Sequence, residues 1–150
     1  MFAEAKNAAI IAFNIACFSI LFGIKEYADA GILFYIVCVG MVISSMLALI
    51  SFLPQMGKYA KNTKGHSVCD NLLFYKDIAG YGGTEYFKAV IKQYYKKDIL
   101  DSEILKLEKD LSDEITYNAT VIERKYRWFG YALKVELGML ILLIAMIIIA

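Results

Sequence analysis

Two stretches decide the fold: NAAIIAFNIACFSILFGI, residues 7–24, and, six residues later, GILFYIVCVGMVISSMLALISFLP, residues 31–54. Neither contains a charge. The first is 18 residues, about 27 Å as a helix, enough to cross most of a hydrocarbon core. The second sits in an uncharged run covering residues 30–57 and is long enough to span even when tilted. A cleaved signal peptide does not fit the first run. Lys25 and Glu26 follow it in place of a small-residue cleavage site, and a second apolar run comes at once. The short hydrophilic stretch from Lys25 to Asp29 therefore joins the two as a tight hairpin.

Working outward, the rest of the chain shows how its apolar excess is arranged. Hydrophobic residues make up 59% and charged residues 21% of 150, so apolar and charged segments must be segregated. A third uncharged run, residues 137–150, reaches only about 21 Å as a helix. Extended back to Trp128 it gains a spanning length but takes in Lys134 and Glu136, which can snorkel toward headgroups near a helix end. Tyr126, Trp128, Phe129 and Tyr131 read as an interfacial aromatic belt. We expect a span over residues 131–150, against the alternative of a hydrophobic helix buried in an oligomer. Orientation follows from the basic residues. Lys58, Lys61 and Lys64 leave the second span, and Arg124, Lys125 and Arg127 enter the third, so residues 58–127 are expected in the cytosol. Lys6 then puts the N-terminus inside, and the C-terminus falls outside. The expected fold is thus an all-α membrane protein, one membrane domain over residues 1–150. Its three transmembrane helices are an N-terminal hairpin (7–24, 31–54) and a C-terminal span, with a small helical cytosolic lobe between spans two and three.

The lobe is too small for a large independent core. Residues 57–70 read as a helix extension and a polar loop, and residues 71–79 as a short helical stripe. The glycine-rich turn Gly80-Tyr81-Gly82-Gly83 ends it. Thr84 is the expected N-cap of a helix over residues 85–97, whose apolar face carries Tyr86, Phe87, Val90, Ile91, Tyr94 and Tyr95. Asp101 or Ser102 is expected to open the last helix. There Ile104, Leu107, Leu111, Ile115, Asn118, Ile122 and Phe129 recur at threes and fours. With no glycine or proline before Gly130, this helix is expected to run straight into the third span.

Chemistry-bearing patterns are few. No Ser/His/Asp set, phosphate-binding loop, paired CxxC or HExxH is present, so no enzyme is expected. Cys17, Cys38, Cys69 and the lone His66 lack ligand spacing, and no metal or cofactor is expected. The carboxylates Asp98, Asp101, Asp110, Asp113 and Glu114 stand among Lys96, Lys97, Lys106 and Lys109 and read as a solvated surface. Gly80-Tyr81-Gly82 matches the triplet of potassium-channel filters, but it lies in a charged lobe rather than between two spans, and reads as a turn. Inside the first span Ala5, Ala8, Ala9, Ala12 and Ala16 stand at small-residue spacing, as do Gly40 and Ser44 in the second. Such faces let helices approach closely. Asn14 needs a partner at mid-membrane, either in a pore or on a neighbouring helix.

Taken together, these pieces resemble the Pycsar transmembrane effectors of bacterial antiphage defence. The resemblance rests on Lys6-Asn7-Ala8-Ala9 and Asn14, on Leu53-Pro54 and on Asn71-Leu72-Leu73-Phe74-Tyr75. It continues through Thr84-Glu85-Tyr86, Asn118, Ile122 and Lys125-Tyr126. It implies a partner cyclase that makes a cyclic pyrimidine mononucleotide upon infection, and an effector that responds by impairing the bacterial inner membrane. The larger members carry an appended domain; here the lobe itself would sense the messenger, with no DNA or RNA partner. A cyclic phosphate calls for Lys or Arg, and a base for an aromatic face or an amide. The implied ligand contacts are Tyr86, Asn118, Lys125 and Tyr126, with Lys88, Lys92 and Arg124 nearby. Helix packing or a pore falls to Ala8, Ala12, Ala16, Asn14, Gly40 and Ser44 of a homo-oligomer in the lipid bilayer. The competing reading is a constitutive membrane scaffold or partner subunit without a ligand.

Overall fold

A computed structural model describes residues 2–24, 31–53 and 69–149. It contains α1 (Phe2–Ile24), α2 (Ile32–Ile50), α3 (Tyr75–Ile78), α4 (Gly83–Tyr95) and α5 (Lys106–Ile149), with a 3-10 turn at Asp101–Glu103. No strand occurs among the described residues. The expected hairpin at residues 25–30, Pro54, and the loop carrying Lys58, Lys61, Lys64 and His66 lie outside them. Three helices are long and apolar enough to cross a membrane: Glu4–Gly23, Ile32–Ile50 and Lys106–Ile148. The chain is therefore an all-α, multi-pass membrane protein with a helical lobe between its second and third spans. It divides into two compact units, Met1–Pro54 with Lys125–Ala150, and Gln55–Arg124.

The membrane unit is built on a seven-residue repeat. Among the described side chains of α1, Asn7, Ile10, Asn14, Cys17 and Leu21 are buried, separated alternately by three and four. On α2, Phe34, Val37, Met41, Ser44 and Ala48 repeat the pattern, and Ser51 continues it. On α5, Ala132, Glu136, Leu143 and Met146 are buried in the same register, with half-buried Met139 completing it. A 3.5-residue period places one face of each helix toward its neighbours as in a left-handed coiled coil. One half of the bundle is apolar: Cys17, Leu21, Phe34, Val37, Met41, Leu143 and Met146 form one cluster. Gly40 lets the Met139 side chain lie where a Cβ would otherwise stand. Outward residues such as Ile15, Phe22, Val39, Ile141 and Ile147 are exposed and apolar, as a lipid-facing surface requires.

The second unit forms its core from Leu72, Ile78, Ala79, Tyr81, Tyr86 and Ala119. Its local structure departs from the sequence reading at four places. The N-cap of α4 is Gly82, not Thr84, and Glu85 accepts the Gly82 N–H at 3.3 Å. Helix α4 ends at Tyr95, with Lys96 in the left-handed region at φ 57°. Asp101 and Ser102 open the 3-10 turn instead of α5, whose start is held by Glu108 accepting the Leu105 N–H at 2.9 Å. The fourth departure concerns the core. The stripe Leu107, Leu111, Ile115 and Ile122 is exposed, Leu107 by 68%, and so are Tyr94 and Tyr95. Helix α5 turns its small face inward instead, through Ser112, Thr116 and Ala119. Beside this face the backbone of Asp113 comes so close to Gly83 that a Cβ there would stand 2.6 Å from the Asp113 nitrogen.

Candidate functional site

Within the membrane unit the buried polar residues line up. Asn7 donates to Ser51 Oγ at 2.8 Å, and Ser51 Oγ donates to the Lys125 carbonyl at 3.4 Å. Seven residues further along α1, Asn14 donates to Ser45 Oγ at 2.9 Å. Ser44, seven residues before Ser51, donates to the Ala132 carbonyl at 3.1 Å. Glu136 lies one turn beyond Ala132 and is 5% exposed. The spacing makes a polar seam of about 10 Å along α1 and α2, ending at a carboxylate. Each hydrogen bond fixes register among otherwise interchangeable apolar faces.

The seam is short of donors. Asn7 Oδ1, Asn14 Oδ1 and both carboxylate oxygens of Glu136 are buried without a hydrogen-bond partner. Snorkelling, expected for Lys134 and Glu136 together, applies only to Lys134, which is exposed. Two residues apart on a helix, the two side chains point to nearly opposite sides. The signal was present in the spacing: Ala132, Glu136, Met139, Leu143 and Met146 follow one another at fours and threes. At the end of the bundle that holds Asn7, Lys125 pairs with Glu4 at 2.6 Å. Lys6 stands over the rings of Tyr126, at 5.2 Å, and Phe129, at 5.6 Å.

The residues expected to contact a messenger fall into both units. Lys125 and Tyr126 belong to the membrane unit, with the α1 partners just named. In the lobe, Lys88 pairs with Asp101 at 2.7 Å and Lys92 with Asp98 at 3.1 Å, both at exposed positions. Asn118 is exposed and donates to Glu114 at 2.9 Å, and Arg124 is half-buried. Tyr86 is buried, and its hydroxyl donates to the Leu72 carbonyl at 3.0 Å. Its ring stands edge-on to Tyr81 at 6.3 Å. Of the small residues, Ala8, Ala12 and Ala16 are exposed on the single chain, whereas Asn14, Gly40 and Ser44 are buried inside it.

Two tyrosines the sequence reading did not separate have different tasks. Tyr86 anchors the loop before α3, while Tyr81 donates to Asp70 at 2.9 Å. Burial, the hydrogen bond to Asp70 and the charges of Asp70 and Asp77 push the Tyr81 hydroxyl up to about 12. The folded lobe therefore holds this proton more tightly than the unfolded chain, where tyrosine titrates near 10. The resulting stability is complete below about pH 10 and is lost as pH rises to about 12. Lobe melting should show this alkaline step, and Tyr81→Phe should remove it while lowering stability at neutral pH.

Among the described residues no group of three or more His, Cys, Asp or Glu could hold a metal ion. Compared with known families, the chain matches the Pycsar effector protein domain over residues 1–150. No curated protein and no solved structure matches it.

Proposed function

The chain belongs to the Pycsar effector family, and from that premise we propose that its lobe senses a cyclic pyrimidine mononucleotide and its spans impair the bacterial inner membrane on self-association. The carrying observation is the family match over the whole chain, on a protein with three membrane-length helices. The protein is thereby a membrane effector of the Pycsar antiphage system. A partner cyclase supplies the messenger, and the chain itself performs no catalysis. The basic residues Lys6, Arg124, Lys125 and Arg127 support a cytosolic lobe and N-terminus with the C-terminus outside.

For the ligand we assign the phosphate to Lys88 and Lys92, whose exposed partners Asp101 and Asp98 an anion can replace at little cost. Asn118 and Arg124 offer an amide and a second cation within the lobe. Tyr86 contributes by holding the lobe core. Self-association draws support from two unpartnered faces: the alanines of α1, and Leu107, Leu111, Ile115 and Ile122 of α5.

Thermal stability of the purified protein in detergent, measured across cyclic mono- and oligonucleotides, tests the sensing. A ligand at 100-fold its Kd stabilises by about 2.7 kcal/mol through linkage, an upward shift of several degrees. A shift confined to a cyclic pyrimidine mononucleotide is expected, and Lys88→Ala with Lys92→Ala should abolish it. A shift with a cyclic oligonucleotide alone would overturn the messenger assignment. No shift with any compound, in a folded sample, would overturn sensing by this lobe and favour the scaffold reading.

A further inference from the structure

The far end of α4 presents a surface that the lobe core does not use. The packed face of this helix runs through Gly83, Tyr86 and Val90, at threes and fours. Tyr94 comes next in that register, yet it is 50% exposed, and Tyr95 beside it is 66% exposed. Lys96 and Lys97 follow, both exposed, and neither pairs with a carboxylate among the described residues. Lys96 also takes the left-handed backbone, φ 57°, that ends α4. Glycine is the usual residue in that conformation, because a Cβ crowds the neighbouring carbonyl. The turn alone therefore does not account for a lysine at this position.

Contacts within the lobe place this end. Gly83, at the start of α4, stands against Asp113. Along α5, residues 106–111 are exposed apart from half-buried Glu108, and the buried Ser112, Thr116 and Ala119 come after them. Tyr86 shares its core with Ala119, so α4 advances along α5 toward Arg124. The ion pairs agree. Lys92 with Asp98 and Lys88 with Asp101 lay the returning chain back along α4, toward the start of α5. Tyr94 to Lys97 thus lie at the end of the lobe from which α5, one unbroken helix to Ile149, continues into the third span.

Exposed tyrosines beside unpaired lysines suit a membrane–water interface. The rings enter the headgroup layer and the ammonium groups meet lipid phosphates. The cytosolic leaflet is anionic, and residues 93–97 contain no carboxylate to repel it. The next one, Asp98, is held by Lys92. We propose that Tyr94, Tyr95, Lys96 and Lys97 dock the lobe on the anionic phospholipid surface of the leaflet that α5 enters. Such docking needs the lobe on the cytosolic side, as proposed above, and needs no messenger.

Hydroxyl-radical footprinting of the full chain in lipid nanodiscs tests this, with the oxidation of each residue read by mass spectrometry. Two lysines at an anionic surface favour docking by about thirtyfold over a neutral one. Tyr94 and Tyr95 should therefore oxidise severalfold more slowly in discs containing phosphatidylglycerol than in pure phosphatidylcholine. Leu107, exposed on α5, should oxidise equally in both. Lys96→Gly with Lys97→Gln should restore fast oxidation of the tyrosines in the anionic discs. Glycine relieves the left-handed backbone at position 96, so this variant should melt no lower than the wild type. Equal oxidation of the two tyrosines in both lipids, in the wild type, overturns the proposal whatever the variant does. So does slow oxidation that survives the loss of both lysines. Both leaflets of a nanodisc have the same composition and no messenger is present, so failure here is separate from failure of the orientation or of the effector reading.

Discussion

Gly83→Val should unfold the lobe. A Cβ on Gly83 would stand 2.6 Å from the Asp113 backbone nitrogen and 2.7 Å from its Cα, besides meeting the Asp113 carboxylate. Contacts that short cannot be relieved by turning a side chain, because the obstacle is the backbone of α5. Either α4 or α5 must move, and their contact carries the core of Tyr81, Tyr86 and Ala119. Overpacking of this kind costs about 1–3 kcal/mol, and more where two branched carbons must enter. A small lobe starts from marginal stability, so a loss of about 3 kcal/mol removes most of its margin. The measurement is hydrogen exchange. Protection should vanish across residues 75–95, and the near-ultraviolet signal of the buried tyrosines should collapse with it. Gly83→Ala should be intermediate. Gly138→Ala serves as the control, since nothing lies within 4 Å of a Cβ there, and it should be neutral or slightly stabilising. Unchanged protection in Gly83→Val would show that the approach of α4 to α5 is not what holds the lobe.

The two early spans were legible because charge is excluded from them outright, a signal that needs no knowledge of packing. The interior of the bundle was less so. Asn14 was expected to need a partner and found Ser45. Glu136 was read through its neighbour Lys134, because a linear sequence gives proximity, while a helix gives direction. Only the seven-residue register separates a residue that faces lipid from one that faces the other helices. In the lobe the failure has the opposite form. Leu107, Leu111, Ile115 and Ile122 have the period of a core face, yet they are exposed. The face of α5 that packs is made of Ser112, Thr116 and Ala119, which hydropathy does not mark. Small residues become an interface through the closeness they permit, and Gly83 is the other half of that contact. The four glycine-turn residues announced a break, but which glycine caps α4 depends on where Glu85 folds back.

The second large effect concerns the alanine face of α1. Ala8, Ala12 and Ala16 are exposed in the single chain, so they contribute nothing to the packing of α1 on α2 and α5. Residues that size on a lipid-facing surface add little apolar area, and Ile15 or Phe22 would do that better. What small residues at four-residue spacing offer is close backbone approach to another helix. Ala12→Leu should therefore leave the three-helix unit intact and keep a second copy away. In vesicles loaded with a fluorescent dye, the wild type should leak when its messenger is added. Ala12→Leu should leak at least about tenfold more slowly, the equivalent of about 1.4 kcal/mol of lost association. Crosslinking between copies should fall in parallel, with melting of the monomeric unit unchanged. Ile15→Leu, a like-sized change on the exposed surface, should leak at the wild-type rate. Lost leakage with retained crosslinking would place the alanines in the path through the membrane rather than between copies. Full leakage by Ala12→Leu would move self-association to the other open face, the exposed leucines and isoleucines of α5. There Leu111→Glu with Ile115→Glu should then carry the loss instead.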